Sequence, residues 1–138
     1  MSKFLKIGLI GLIGLSLSFF GCGKNEKHLL KIGKITEIKE GKTVENSDYG
    51  LSLHVENIND SRCPKKADCF WEGTASVTFQ LITKKGEYKF TLDTHSPPNF
   101  INDTVIEGIK YQLKDVLPYP DSGRKQSKKT IKILADKN

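Results

Sequence analysis

At 138 residues the chain has room for one domain with a modest core and no second domain. Its formal charge of +6 would suit nucleic acid. The N-terminus, however, sends the chain out of the cytoplasm and leaves anionic lipid, an anionic polymer or a solvated cationic surface as the natural readings.

The chain starts MSKFLK, followed by the apolar run IGLIGLIGLSLSFF over residues 7–20. A basic start, a 14-residue apolar run and a small residue before the break make an export signal, and the run falls short of the ~20 apolar residues that span a bilayer. Phe19-Phe20-Gly21-Cys22 resembles the lipobox of bacterial lipoproteins, although Phe19 stands where leucine is usual. That likeness implies diacylglyceryl on the Cys22 thiol and cleavage before it, giving a signal over 1–21, a lipidated tether over 22–28 and a domain over 29–138. Ordinary cleavage after Ser18 is the rival, and it would strand a free thiol in an oxidising compartment. Loss of Lys3 and Lys6 brings the charge from +6 to +4. Gly23, rather than Asp, resembles the sorting signal for the outer membrane, if the host has one.

Beyond the tether the hydrophobic period is two. LLKIGKITEI (29–38), LSLHVE (51–56), VTFQL (77–81), YKFTL (88–92), IKYQL (109–113) and TIKIL (130–134) alternate apolar and polar residues, and Lys84-Lys85-Gly86 supplies a hairpin turn. No stretch of ten residues carries a helical stripe. The pattern predicts an all-β fold, a single small antiparallel β-sandwich or partly open barrel of six to seven strands.

Cys63 and Cys69 lie six positions apart. Once Cys22 is acylated, two cysteines remain in an oxidising compartment and pairing them is the default. A redox centre favours two intervening residues, and zinc lacks ligands at suitable spacing, His54 and His95 being the only histidines deep in the domain. A bridge so local differs from one joining two sheets across a core. Asp60 and Arg62 are placed to pair and brace the loop, and Trp71 is expected as a core anchor rather than a ligand platform.

The motif Asp60-Ser61-Arg62-Cys63-Pro64, then Cys69, Trp71 and Gly73, then VTFQL, resembles a family of small exported bacterial proteins, often lipoproteins, with a DSRCP…CxWxG signature. YQLKDVLPYP over 111–120 resembles the same family, and the likeness covers roughly residues 30–134. Glu72 replaces the small residue usual between Trp and Gly. The resemblance implies an exported β-domain with a disulfide loop and brings no catalytic residues with it.

Other motifs dissolve on inspection. EGKT (40–43) ends like a phosphate-binding loop, but Thr36 stands where its first glycine belongs and residues 44–50 read as a turn. His54 and Glu56 share a strand face and read as solvated. No nucleophile–base pairing is present, so the expectation is no catalysis, no metal and no cofactor. The predicted function is a membrane-anchored lipoprotein with a binding domain, its molecular role open. The alternative is an inhibitor that plugs an envelope or secreted hydrolase with its disulfide loop, a basic lysozyme being repelled by the +4 charge. Expected partners are the membrane, through lipid at Cys22, and an envelope protein or anionic polymer, the domain itself being monomeric. If strands alternate strictly in direction, loops 58–73 and 94–104 share one end and loop 118–127 takes the other. Candidate binding residues are Pro64, Trp71, His95, Pro97, Pro98 and Phe100.

Overall fold

Alternating side chains need an apolar layer on one face only, and two such sheets cover each other. The computed structural model describes residues 28–95, 98–121 and 127–138. The strands are β1 (Lys34–Lys39), β2 (Thr43–Asn46), β3 (Leu51–Asp60), β4 (Ala75–Ile82), β5 (Glu87–Asp93), β6 (Asp103–Ile106), β7 (Ile109–Leu117) and β8 (Thr130–Lys137). They form two antiparallel four-stranded sheets, β2-β3-β4-β5 and β1-β8-β7-β6. The architecture is the expected β-sandwich, and its sheets do not close into a barrel.

Eight strands replace the predicted six to seven. The additions, β2 and β6, have four residues each, too few to display a period. The strict alternation expected of 77–81 and 88–92 appears as the β4–β5 hairpin, with Val77 opposite Leu92 and Phe79 opposite Phe90.

The core is the inward row of each strand: Leu51, Leu53 and Val55, then Val77, Phe79 and Leu81, facing Tyr111, Leu113, Ile131 and Ile133. Phe90 links the layers, with its ring 5.4 Å from Phe79 and 5.7 Å from Tyr111.

Two bulges change which residues face inward. The β3–β4 register shifts between Val55 and Asn57, and the β7–β8 register between Leu113 and Asp115. An extra residue flips the pleat. Ile58 and Asp60 thereby follow Val55 onto the inner face, and Val116 follows Leu113.

The ends of the sandwich differ in what they carry. At the tether end, Leu30 N donates to Glu45 O, Glu45 N to His28 O, and Gly33 N to Ala135 O, so the chain enters beside the finish of β2 and β8. At the loop end lie the 61–74 connection, the 94–102 connection and the segment after β7.

Candidate functional site

The loop end is built on a buried charge cluster. The β3 bulge aims Asp60 inward, where its side chain is only 5% exposed and that of Arg62 3%. Arg62 Nε donates to Asp60 Oδ1 at 2.8 Å and NH2 to Oδ2 at 2.7 Å, a fork-on-carboxylate pair. NH2 also donates to Val116 O at 2.7 Å, and the guanidinium lies 4.1 Å over the Tyr119 ring. From the second sheet, Lys129 Nζ donates to Asp60 Oδ2 and to Pro118 O, both at 2.8 Å. Burial pushes the Asp60 carboxyl up, but hydrogen bonds from Arg62 and Lys129, with the Arg62 charge, outweigh it and hold the pKa below the ordinary 3.8. The expected Asp60–Arg62 pair is present, and Lys129 makes it a cross-sheet knot. Fully engaged charges of this kind fix geometry and offer no free acid or base.

Above the knot, the disulfide loop extends the β3–β4 hairpin. Ser61 N donates to Thr74 O and Cys63 N to Glu72 O. Gly73 has φ +65, and a Cβ there would lie 2.0 Å from Ser61 O, so this crossing requires glycine. Cys63 and Cys69 are joined by a disulfide with Cα atoms 6.0 Å apart. The bridge closes the loop and leaves its exit residues outside. Phe70 is 101% exposed and Trp71 69%.

Trp71 is therefore no core anchor. The flanking stem, 72 to 74, is occupied by pairing with 61–63, and the indole stands largely in solvent. Phe70 was absent from the sequence-derived candidates. Its one signal is its position: it directly follows the closing cysteine, where the chain leaves the staple.

Loop 94–104 sits beside this tip. Thr94 Oγ1 hydrogen-bonds Thr74 Oγ1 at 3.2 Å and accepts from Ala75 N. His95 Nε2 lies 3.5 Å from Glu72 Oε2, and its ring lies 5.5 Å from that of half-buried Phe100. Pro98 and Ile101 are exposed, and Pro64 is half-buried at the start of the staple. Pro64, Trp71, His95, Pro98 and Phe100 thus occupy one end of the sandwich. Pro97 and Cys22 lie outside the described residues, as do the signal and nearly all of the tether.

The segment after β7 is at this same end, not the opposite one. Lys65 N donates to Pro120 O, and Tyr119 stacks under Arg62. The reason is β6: one unrecognised strand between 94 and 109 reverses the direction of everything after it. Residues 122–126 of that loop lie outside the described residues. A surface depression of about 470 Å³ separates the segment from β1, lined by Glu37, Lys65, Leu117, Pro118, Tyr119 and Thr130.

His54 hydrogen-bonds Thr43, and Glu56 pairs with Lys89, so the two make separate surface contacts. Among the described residues no three His, Cys, Asp or Glu side chains come together to hold a metal, and no helix is long and apolar enough to cross a membrane. No family model, curated protein or solved structure matches this chain.

Proposed function

We propose that this protein is a lipid-anchored component of a bacterial cell envelope whose β-sandwich is a non-catalytic binding domain, with the disulfide loop at its recognition end. The observation that carries the reading is the exposure of Phe70 and Trp71 on a loop held by a staple, a glycine crossing and a buried ion cluster. Rigidity at a loop costs entropy in folding and returns it in binding, since little ordering remains to be done when a partner arrives. Two adjacent aromatics left in water on such a frame are typical of residues buried by a partner. The buried titratable groups at this end, Asp60, Arg62 and Lys129, are engaged with each other, which favours binding over catalysis.

Anchorage rests on the Gly21-Cys22 break after the apolar run, with the outer membrane as its site if the host has one. Replacing Cys22→Ser should move the protein from the membrane fraction to the soluble one. A variant that still sediments with membranes in high salt would show that the apolar run, not a lipid, is the anchor.

A further inference from the structure

We infer that the Cys63–Cys69 bridge is a thiol-exchange site: a dithiol opens it by attack at Cys69, and opening releases residues 68–71, with Phe70 and Trp71, while the sandwich stays folded. The inference gives the loop assigned to recognition a means of regulation, but it stands on the bridge alone.

Access separates the two sulfurs. Cys69 is exposed and Cys63 half-buried. Exchange begins with a thiolate attacking one sulfur and depends on access to it, so attack falls on Cys69 and Cys63 becomes the leaving group. That leaving sulfur has a partner waiting. Cys63 Sγ lies 3.3 Å from Ala67 O, an acceptor that the oxidised sulfur, carrying no proton, cannot use. The thiol formed on reduction can donate to it.

The bonds that survive opening are those that hold the fold. Ser61 N donates to Thr74 O and Cys63 N to Glu72 O, so the stem is closed without help from sulfur. Lys65 N donates to Pro120 O and Ala67 N to Pro64 O, which fixes the first half of the loop. Beneath it Asp60, Arg62 and Lys129 stay engaged. The second half differs. Among the described residues no hydrogen bond or ion pair reaches residues 68–71, and beyond the chain itself the bridge is their one bonded tie. A bridge inside a core couples its reduction to unfolding, whereas this one couples it to the aromatic tip. Once freed, the tip must be ordered again on contact, an entropy loss that the closed bridge removes.

In the exchange, a thiolate of the dithiol bonds to Cys69 Sγ as the Sγ–Sγ bond breaks, and Cys63 leaves as thiolate and takes a proton. The second thiol then attacks its own partner's sulfur in the mixed disulfide, and Cys69 leaves and is protonated. The protein gains two electrons and two protons, and the dithiol becomes a disulfide. The cysteines lie six positions apart, unlike the Cys-X-X-Cys of catalytic dithiols, so the bridge is the substrate of this chemistry.

The test uses the protein purified from its host and first treated with iodoacetamide, so that no thiol at Cys22 competes. Reduced glutathione followed by an iodoacetamide quench should leave glutathione on Cys69 and carbamidomethyl on Cys63 in peptide maps. Dithiothreitol without denaturant should open the bridge, at a rate that stays flat as urea rises below the unfolding transition. Trp71, the sole tryptophan, should lose anisotropy on opening and regain it on reoxidation, while the reduced protein still unfolds in one cooperative transition. A rate that climbs with urea in step with the unfolded fraction would show that the bridge opens only through unfolding, and would overturn the inference. So would glutathione on Cys63, an unmoved anisotropy, or loss of the cooperative transition on reduction.

Discussion

Asp60 shows how one carboxylate can set the shape of a whole end. Substituting Asp60→Asn leaves Lys129 buried without its counter-charge and Arg62 with only the half-exposed carboxylate of Asp115, 3.7 Å away, and unpaired buried charge costs several kcal/mol. Urea unfolding at neutral pH should show a loss of about 3 kcal/mol. Because the folded carboxyl titrates below 3.8, its stabilisation is complete above that value and is lost as pH falls through the lower folded pKa. The wild type should therefore weaken in that acid window, and the Asn variant should lack this contribution. Tyr111 poses the opposite case. Its ring is fully buried, and its hydroxyl finds no hydrogen-bond partner among the described residues. Burial, aided by the charge of Glu107, raises its pKa from 10.0 to about 12. The folded state thus holds the phenol proton more tightly. Its stabilising effect is full below pH 10.0 and drains away as pH rises towards about 12. Tyr111→Phe removes an unsatisfied polar group, so thermal unfolding should show equal or higher stability, by up to about 1 kcal/mol, and no loss from this residue in the alkaline window.

At the scale of elements, the staple shapes the tip more than it holds the sandwich together. Cys63→Ser with Cys69→Ser opens a loop of about seven residues, worth at most ~2.4 kcal/mol by loop-closure entropy. Denaturation should show a loss no larger than this, while Trp71 anisotropy falls as the tip gains freedom. A much larger loss would mean that the loop belongs to the folding core. Long strands were legible because each repeats the apolar–polar period several times: β4, β5, β7 and β8 are all visible as alternation. Four-residue β2 and β6 are not, and Thr43-Val44-Glu45-Asn46 looks like part of a turn until Leu53 pairs with Val44. Missing β6 also misplaced the basic loop, because strand direction is a parity that accumulates along the chain. The ion pair was readable from Asp60 and Arg62 as neighbours. Lys129 was not, since its approach depends on two sheets meeting, 69 residues away in sequence. Trp71 was misread because residue type favours burial, whereas its stem position dictates exposure.

For the whole molecule, the strand order has a temporal consequence. β8 lies between β1 and β7, and Lys34 pairs with Ala135 across about a hundred residues of chain. Among the described residues β1 has no sheet neighbour except β8, so the first strand waits for nearly the last residues to arrive. Synthesis from the N-terminus therefore yields a long nascent chain whose second sheet has no centre, and closure of the sandwich is postponed to the end. On the proposed export route, such a chain would suit a narrow secretion pore, which admits polypeptide only before it has folded. A chain ending at residue 129 should accordingly remain protease-sensitive and lack a cooperative unfolding transition. Supplying the peptide 130–137 in trans should restore both protection and cooperativity, because the truncated chain still carries the sequences of β1 and β7, between which the peptide pairs. Compact, cooperatively unfolding protein from the truncated chain alone would show that closure does not wait for β8.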